Sequence, residues 1–278
     1  MDSLKYISLC ILMFSALSCE DVVDVDVPSE DPRLIINSLV RVDPSVNIVN
    51  IEVEVSLTDS FFGETPVTNL KQITLAGGVL VDIENPGSGV YKGVRSRETL
   101  AASEELLLQI SWEDKRYYGS TAYVPTVPID SLQLGTNTLF DEDETELIIT
   151  ITDDPNRNDF YVFDLGFGNF VTLEDQFFQG QQFSFSYFYD EKFEPGQELT
   201  ISVLGADLEF YNYMNKLLEQ TEEDFGVFET PATTVRGNIF DITELDNIDF
   251  FDNLKIPNRF PLGYFAVVEE YKKSIVIP

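Results

Sequence analysis

Residues 47–59, NIVNIEVEVSLTD, set Ile51, Val53, Val55 and Leu57 against Glu52, Glu54 and Ser56. Alternation with a period of two gives a strand with one face in a core and the other in water. The same grammar recurs along the chain. RLIINSLVRV (33–42) has strand length, and KQITLAGGVLVDIEN (71–85) is broken by Gly77-Gly78, a hairpin signal. PGSGVYKG (86–93) reads as a turn and a short strand, and 103–114 and 116–124 flank a tight turn at Asp114-Lys115. Further strands are expected at 129–135, 147–152, 160–167, 183–193 and 197–207, with VRGNIF (235–240) and residues 262–278 as the last two. Short strands with frequent turn signals predict β-sandwiches.

Two segments break the period. LEFYNYMNKLLEQT (208–221) places apolar residues at 210, 213/214, 217 and 218, the spacing of a helix face, and Asp207 precedes it as a candidate N-cap. YVPTVPIDSLQL puts Pro125 and Pro128 between strands, a stiff linker composition. The expected fold is therefore mainly β. It has two immunoglobulin-like β-sandwich domains, 33–128 and 129–278, the second with one α-helix packed on it near 208–221.

The start of the chain follows other rules. Residues 6–17, YISLCILMFSAL, form an apolar run too short to span a bilayer and of the length of a signal-peptide core. It leads through Ser18 into Cys19, so 1–18 read as a lipoprotein signal peptide and Cys19 as the lipidation site. The competing reading is an ordinary secretory signal that leaves Cys19 unpaired, because Cys10 lies in the removed segment. Residues 19–32 alternate acids with valine and end in prolines, which suits a solvated tether.

Composition narrows the function classes. The 278 residues carry 17 Lys+Arg against 49 Asp+Glu, for a net charge of −32. Such a surface repels phosphates, which argues against nucleic acid as a ligand and against a face lying on anionic lipid. With 22 Phe and 12 Tyr, the chain is too aromatic for an acidic disordered protein. It has no histidine, which removes Ser-His-Asp and Cys-His nucleophilic catalysis and histidine-based zinc sites.

Three features compete as candidate sites. In DDPNRND (153–159), Asp154, Asn156 and Asn158 echo the start of an EF-hand loop. The sixth position lacks glycine and the twelfth is Leu165, which cannot ligate calcium, so a plain turn is the stronger reading and calcium the weaker. Paired carboxylates could hydrolyse a glycoside, but nothing marks out a pair, and no nucleophile elbow or phosphate loop is present. The third feature is aromatic. Phe183, Phe185, Tyr187 and Tyr189 fall on one face of a strand and Phe188 on the other. They read either as sandwich core or as a surface for a protein partner. A second aromatic patch contains Phe250, Phe251 and Phe260.

Four landmarks in order carry a resemblance: the leader; PRLIIN (32–37); VPIDSL (127–132); and FYNYMNKLLEQ (210–220) followed by PATTVRGNI (231–239) and PLGYFAV (261–267). Together they resemble a large family of Bacteroidota outer-membrane lipoproteins of unknown function, encoded beside TonB-dependent receptors. Glu20, Asp21, Asp24 and Asp26 are similar to the acidic export signals that send lipoproteins of that phylum to the cell surface. The resemblance implies a non-catalytic, surface-exposed accessory subunit with no cofactor beyond the lipid. Its partner would be an outer-membrane β-barrel, a TonB-dependent receptor in the first place. Other expectations are a structural subunit of a barrel-assembly or secretion machine, and a free glycan- or calcium-binding module.

Overall fold

The computed structural model describes residues 32–58, 64–67, 69–81, 87–139, 143–190, 192–221, 234–243 and 260–278. The first alternating segments become β1 (Leu34–Val42), β2 (Ile48–Thr58), β3 (Glu64–Pro66), β4 (Gln72–Leu75), β5 (Gly78–Val79) and β6 (Val90–Ser96). A short helix, α1 (Arg97–Ala102), precedes β7 (Leu106–Trp112), β8 (Lys115–Thr121) and β9 (Tyr123–Val124). The second half contributes β10 (Ile129–Leu134), β11 (Thr145–Thr152), β12 (Phe160–Asp164), β13 (Phe170–Glu174), β14 (Gln182–Tyr189) and β15 (Glu198–Ala206). Helix α2 (Leu208–Thr221), β16 (Ile239–Asp241) and β17 (Phe265–Val276) complete it.

The fold is mainly β, as the alternation predicts. In the first sandwich β1, β2, β3 and β6 face the sheet β16-β8-β7-β4-β5. Ile36, Ile51, Val53, Leu75, Leu108 and Ile110 interlock between them. In the second, β10-β11-β14 faces β13-β12-β15-β17 over Leu147, Ile149, Ile151, Tyr161, Phe163, Ile201 and Val203. The intervening residues of the larger sheet, Val162, Leu204 and Ala206, point the other way and pack with Phe210 of α2. Asp207 caps that helix: its Oδ1 accepts the Phe210 N–H at 2.8 Å, satisfying one of the orphan donors of the first turn.

Three elements escape the sequence pattern, one of them the three-residue β3. Helix α1 is too short for a helical period to register. It is set by its cap, Ser96, whose Oγ accepts the Thr99 N–H at 3.1 Å, and by Leu100, fully buried in the first core. Strand β13 shows no inside–outside contrast along its length.

The last two strands cross the boundary expected near residue 128. β16 pairs with β8, so Ile239 belongs to the first core. β17 serves both sandwiches. Its residues 265–269 pair in parallel with 38–42 of β1, and 270–276 pair antiparallel with 198–204 of β15. Phe265 and Val267 fill the first core while Ala266 and Val268 lie against the α2 cluster.

Side chains lock this crossing. Arg41 on β1 meets Asp164 of β12 at 2.8 Å and the buried Glu270 of β17 at 3.2 Å. Asn238 takes the place of a strand at the start of β17. Its Nδ2 donates to Phe265 O at 2.7 Å and Ser120 O at 3.0 Å, and its Oδ1 accepts the Phe265 N–H at 2.9 Å. Gly263 has φ +89° and sits so close to Ile36 O that a Cβ would not fit.

Asn238→Ala strips partners from buried backbone groups on two strands. It is expected to lower unfolding free energy by about 3 kcal/mol, read as a shifted denaturant midpoint. A loss below about 0.5 kcal/mol would show that Asn238 does not clasp the strand.

Candidate functional site

The aromatic ladder of β14 turns its odd positions inward. Phe183 stacks on Phe178 with centroids 4.3 Å apart, and Phe185 meets Phe163 edge-on at 5.1 Å. Tyr187 meets Tyr189 at 4.8 Å, and Tyr189 meets Phe193 at 4.9 Å. Tyr189 is buried, and its hydroxyl donates to Leu165 O at 2.7 Å. Phe183, Phe185 and Tyr187 pack on the same core yet stay half-buried, because β14 ends its sheet. Phe188 lies on the outer face, opposite Glu146 of β11. The ladder is thus the inner wall of the second sandwich and, at the same time, its exposed rim.

Phe260 is elsewhere and buried. Arg33 lies 5.2 Å and Arg236 4.1 Å from its ring centroid. This cation–π arrangement ties PRLIIN to VRGNI. Phe250 and Phe251 lie outside the described residues, as do Cys19, Glu20, Asp21, Asp24 and Asp26.

The DDPNRND turn forms a closed polar network. Asp153, Asp159 and Asp175 are buried around the Tyr161 hydroxyl. That hydroxyl donates to Asp153 Oδ1, and to Asp159 Oδ2 at 3.1 Å. Asp153 also accepts the Gly180 N–H at 2.6 Å, and Asp175 accepts the Asp159 N–H at 2.6 Å. Arg157 supplies the positive charge, 2.9 Å from Asp159 Oδ2. Burial raises the Asp159 carboxyl above its ordinary value, and Arg157 offsets only part of that rise. Burial, then the Asp153 hydrogen bond, raises the Tyr161 phenol well above its ordinary range. Asp154, the first position of the EF-hand echo, is spent on an Asx turn and accepts the Asn156 N–H at 3.0 Å. Leu165 is fully buried. An arginine, a phenol and backbone amides thus fill the role a cation would have. Among the described residues no group of three or more His, Cys, Asp or Glu converges as a metal site. In the acidic turn at 141–144, Asp143 pairs with Lys192 at 2.7 Å, and residues 141 and 142 lie outside the described residues.

On the outer face of the three-stranded sheet, Glu146 accepts the Ser186 Oγ–H at 2.6 Å and both the N–H and Nδ2 of Asn137 at 2.9 Å. Its carboxyl is held below the ordinary value, chiefly by Ser186.

Two rings stand exposed; sequence reasoning marks Phe177 as apolar surface beside the ladder and missed Phe167. Phe177, 89% exposed, stands on the single turn after β13. Phe167, 63% exposed, tips the β12–β13 hairpin with φ +55°, between two glycines that also have positive φ. The Gly-Phe-Gly triplet was the available signal, because left-handed turns collect glycine.

Comparison with known proteins adds one relationship. A family model described as "Domain of unknown function (DUF4249)" matches residues 20–247. No curated protein matches the chain.

Two expectations follow from the buried carboxylates. Tyr161→Phe deprives Asp153 and Asp159 of a shared donor and should cost about 2 kcal/mol in equilibrium denaturation. No change would show the network to be ornamental. The Glu146 carboxyl, lowered on folding, contributes stability above its ordinary value of 4.5 and loses it as pH falls through the folded value. Glu146→Gln should therefore unfold more easily than wild type at pH 7, with the gap narrowing below that value. Equal gaps at neutral and acid pH would refute the assignment.

Proposed function

The chain belongs to the family described as a domain of unknown function, and from that premise we propose that it is a lipid-anchored outer-membrane lipoprotein. Its folded body docks, without catalysis, on an outer-membrane β-barrel. A TonB-dependent receptor at the cell exterior is the partner the resemblance names, which makes the chain an accessory subunit of nutrient uptake.

The observation that carries the reading is the succession at residues 14–32. The apolar run ends at Cys19, the family match begins at Glu20, and the compact body begins at Pro32. The intervening residues 20–32 reach at most about 45 Å when extended, so an anchored body works close to the membrane. The net charge of the chain, −32, disfavours lying flat on anionic lipid. A thioether-linked diacylglycerol with an N-acyl chain would hold it permanently, at ~0.8 kcal/mol per buried methylene. The body itself offers half-buried aromatic rings at a sheet rim, the kind of surface protein partners use.

Cys19→Ala is expected to abolish incorporation of labelled fatty acid and to release the chain from the membrane fraction. Retention of both label and membrane association in the variant would overturn the anchor. Purification of tagged wild type in mild detergent should recover a stoichiometric outer-membrane barrel, and recovery of the chain alone in several detergents would sink the docking half of the reading.

A further inference from the structure

Sheet edges are hazards that folded proteins cover, shorten or charge. Most terminal strands here are managed in one of those ways. β3 has three residues and ends in Pro66, β5 has two, and β16 has three including Asp241. β13 is tied to α2 through Thr172 and Asn215. At β10, Lys273 Nζ caps the carbonyls of Ile129 and Asp130 at 3.3 and 2.5 Å.

β14 is different. Among the described residues it terminates the sheet β10-β11-β14, and its eight residues QFSFSYFY contain no charge and no proline. The Asp153 N–H donates to Gln181 O at 3.0 Å. That bond fixes which pairs exchange hydrogen bonds, because bonded and non-bonded pairs alternate along an antiparallel ladder. Odd residues 183, 185, 187 and 189 bond to β11. The N–H and C=O groups of Gln182, Ser184, Ser186 and Phe188 therefore point out of the sheet. Beside them, Phe183, Phe185 and Tyr187 are only half-buried and would gain cover from one more strand.

Charge decides what that strand is. A second copy would bring another −32 to the edge. At the start of β14 the Gln182 Nε2 donates to Asp130 Oδ2 at 3.3 Å, and Asp190 follows its end, while the strand itself is neutral. We infer that the free edge of β14 is a strand-addition site, where an extended segment of a partner protein, uncharged at its centre and flanked by lysine or arginine, pairs with Gln182–Phe188. Main-chain hydrogen bonds supply its affinity and the half-buried rings its side-chain selectivity. The inference deepens the docking reading above and rests on it.

The test compares full-length tagged wild type and Ser184→Pro, purified from native membranes in mild detergent, with amide exchange on the recovered complex. The proline removes an edge donor and leaves the backbone bonds to β11 in place, giving up only the exposed Ser184 Oγ–Thr150 Oγ1 bond of 2.8 Å. The expected result is at least tenfold lower recovery of the barrel partner by Ser184→Pro. Exchange on the wild-type complex should show new protection at the amides of 184, 186 and 188 and little change at 183, 185 and 187. Undiminished recovery by a folded Ser184→Pro overturns the edge site and leaves docking intact. Wild type recovered alone overturns both. If the proline variant fails to fold, the wild-type exchange pattern decides, and protection that does not alternate overturns the proposal. Protection caused by a second copy of this chain, seen as a concentration-dependent dimer, also overturns it.

Discussion

The pairing of the last strand with the first makes the two sandwiches one body. Residues 38–42 lie beside 265–269 in parallel, and parallel neighbours need a long connection between them. Here that connection is nearly the whole chain. Loop-closure entropy grows only with the logarithm of length, so the distance along the chain costs little once other contacts exist. β17 is buried on both faces over 265–268, and each face serves a different cluster. No other described strand pairs with both β1 and β15.

Three of the landmarks behind the family resemblance, PRLIIN, VRGNI and PLGYFAV, gather around this crossing. Arg33 and Arg236 flank Phe260, Gly237 abuts the Gly263 carbonyl, and Asn238 holds both faces of the Phe265 peptide. Scattered over more than 200 residues of sequence, these groups meet as one clasp. Their specificity as a signature thus reflects closure of the fold. Function has to be sought on surfaces the clasp leaves free, and the rim of the second sandwich is the largest departure from good edge practice.

Acid is the other constraint. Among the described residues, the Asp and Glu that are buried are each given a named partner. Glu270 takes Arg41 and Lys272, Glu146 takes Ser186 and Asn137, and Asp153, Asp159 and Asp175 share Tyr161, Arg157 and backbone amides. Leaving any one of these charges unpaired would cost more than the pair itself contributes. The networks also join β11 to β14 and to the turn before it, through Glu146 with Ser186 and Asp153 with Gly180.

Elements whose two faces see different solvents were legible in the sequence. β1, β2 and β11 follow from alternation, and α2 with its Asp207 cap follows from helical spacing, because a half-buried element must write its burial into its period. α1 was not legible, since six residues are fixed by one cap and one buried leucine. Nor was the role of β14. The sequence set Phe183, Phe185, Tyr187 and Tyr189 on one face and could not say whether core or partner lay opposite. Tertiary structure made them a core wall and, by ending the sheet there, left their rims open. The double duty of β17 was equally hidden, because burial on both faces erases alternation. Local pattern records which side of a strand is wet. Which strand lies beside it, and whether any does, is decided only by pairing between residues far apart in the chain.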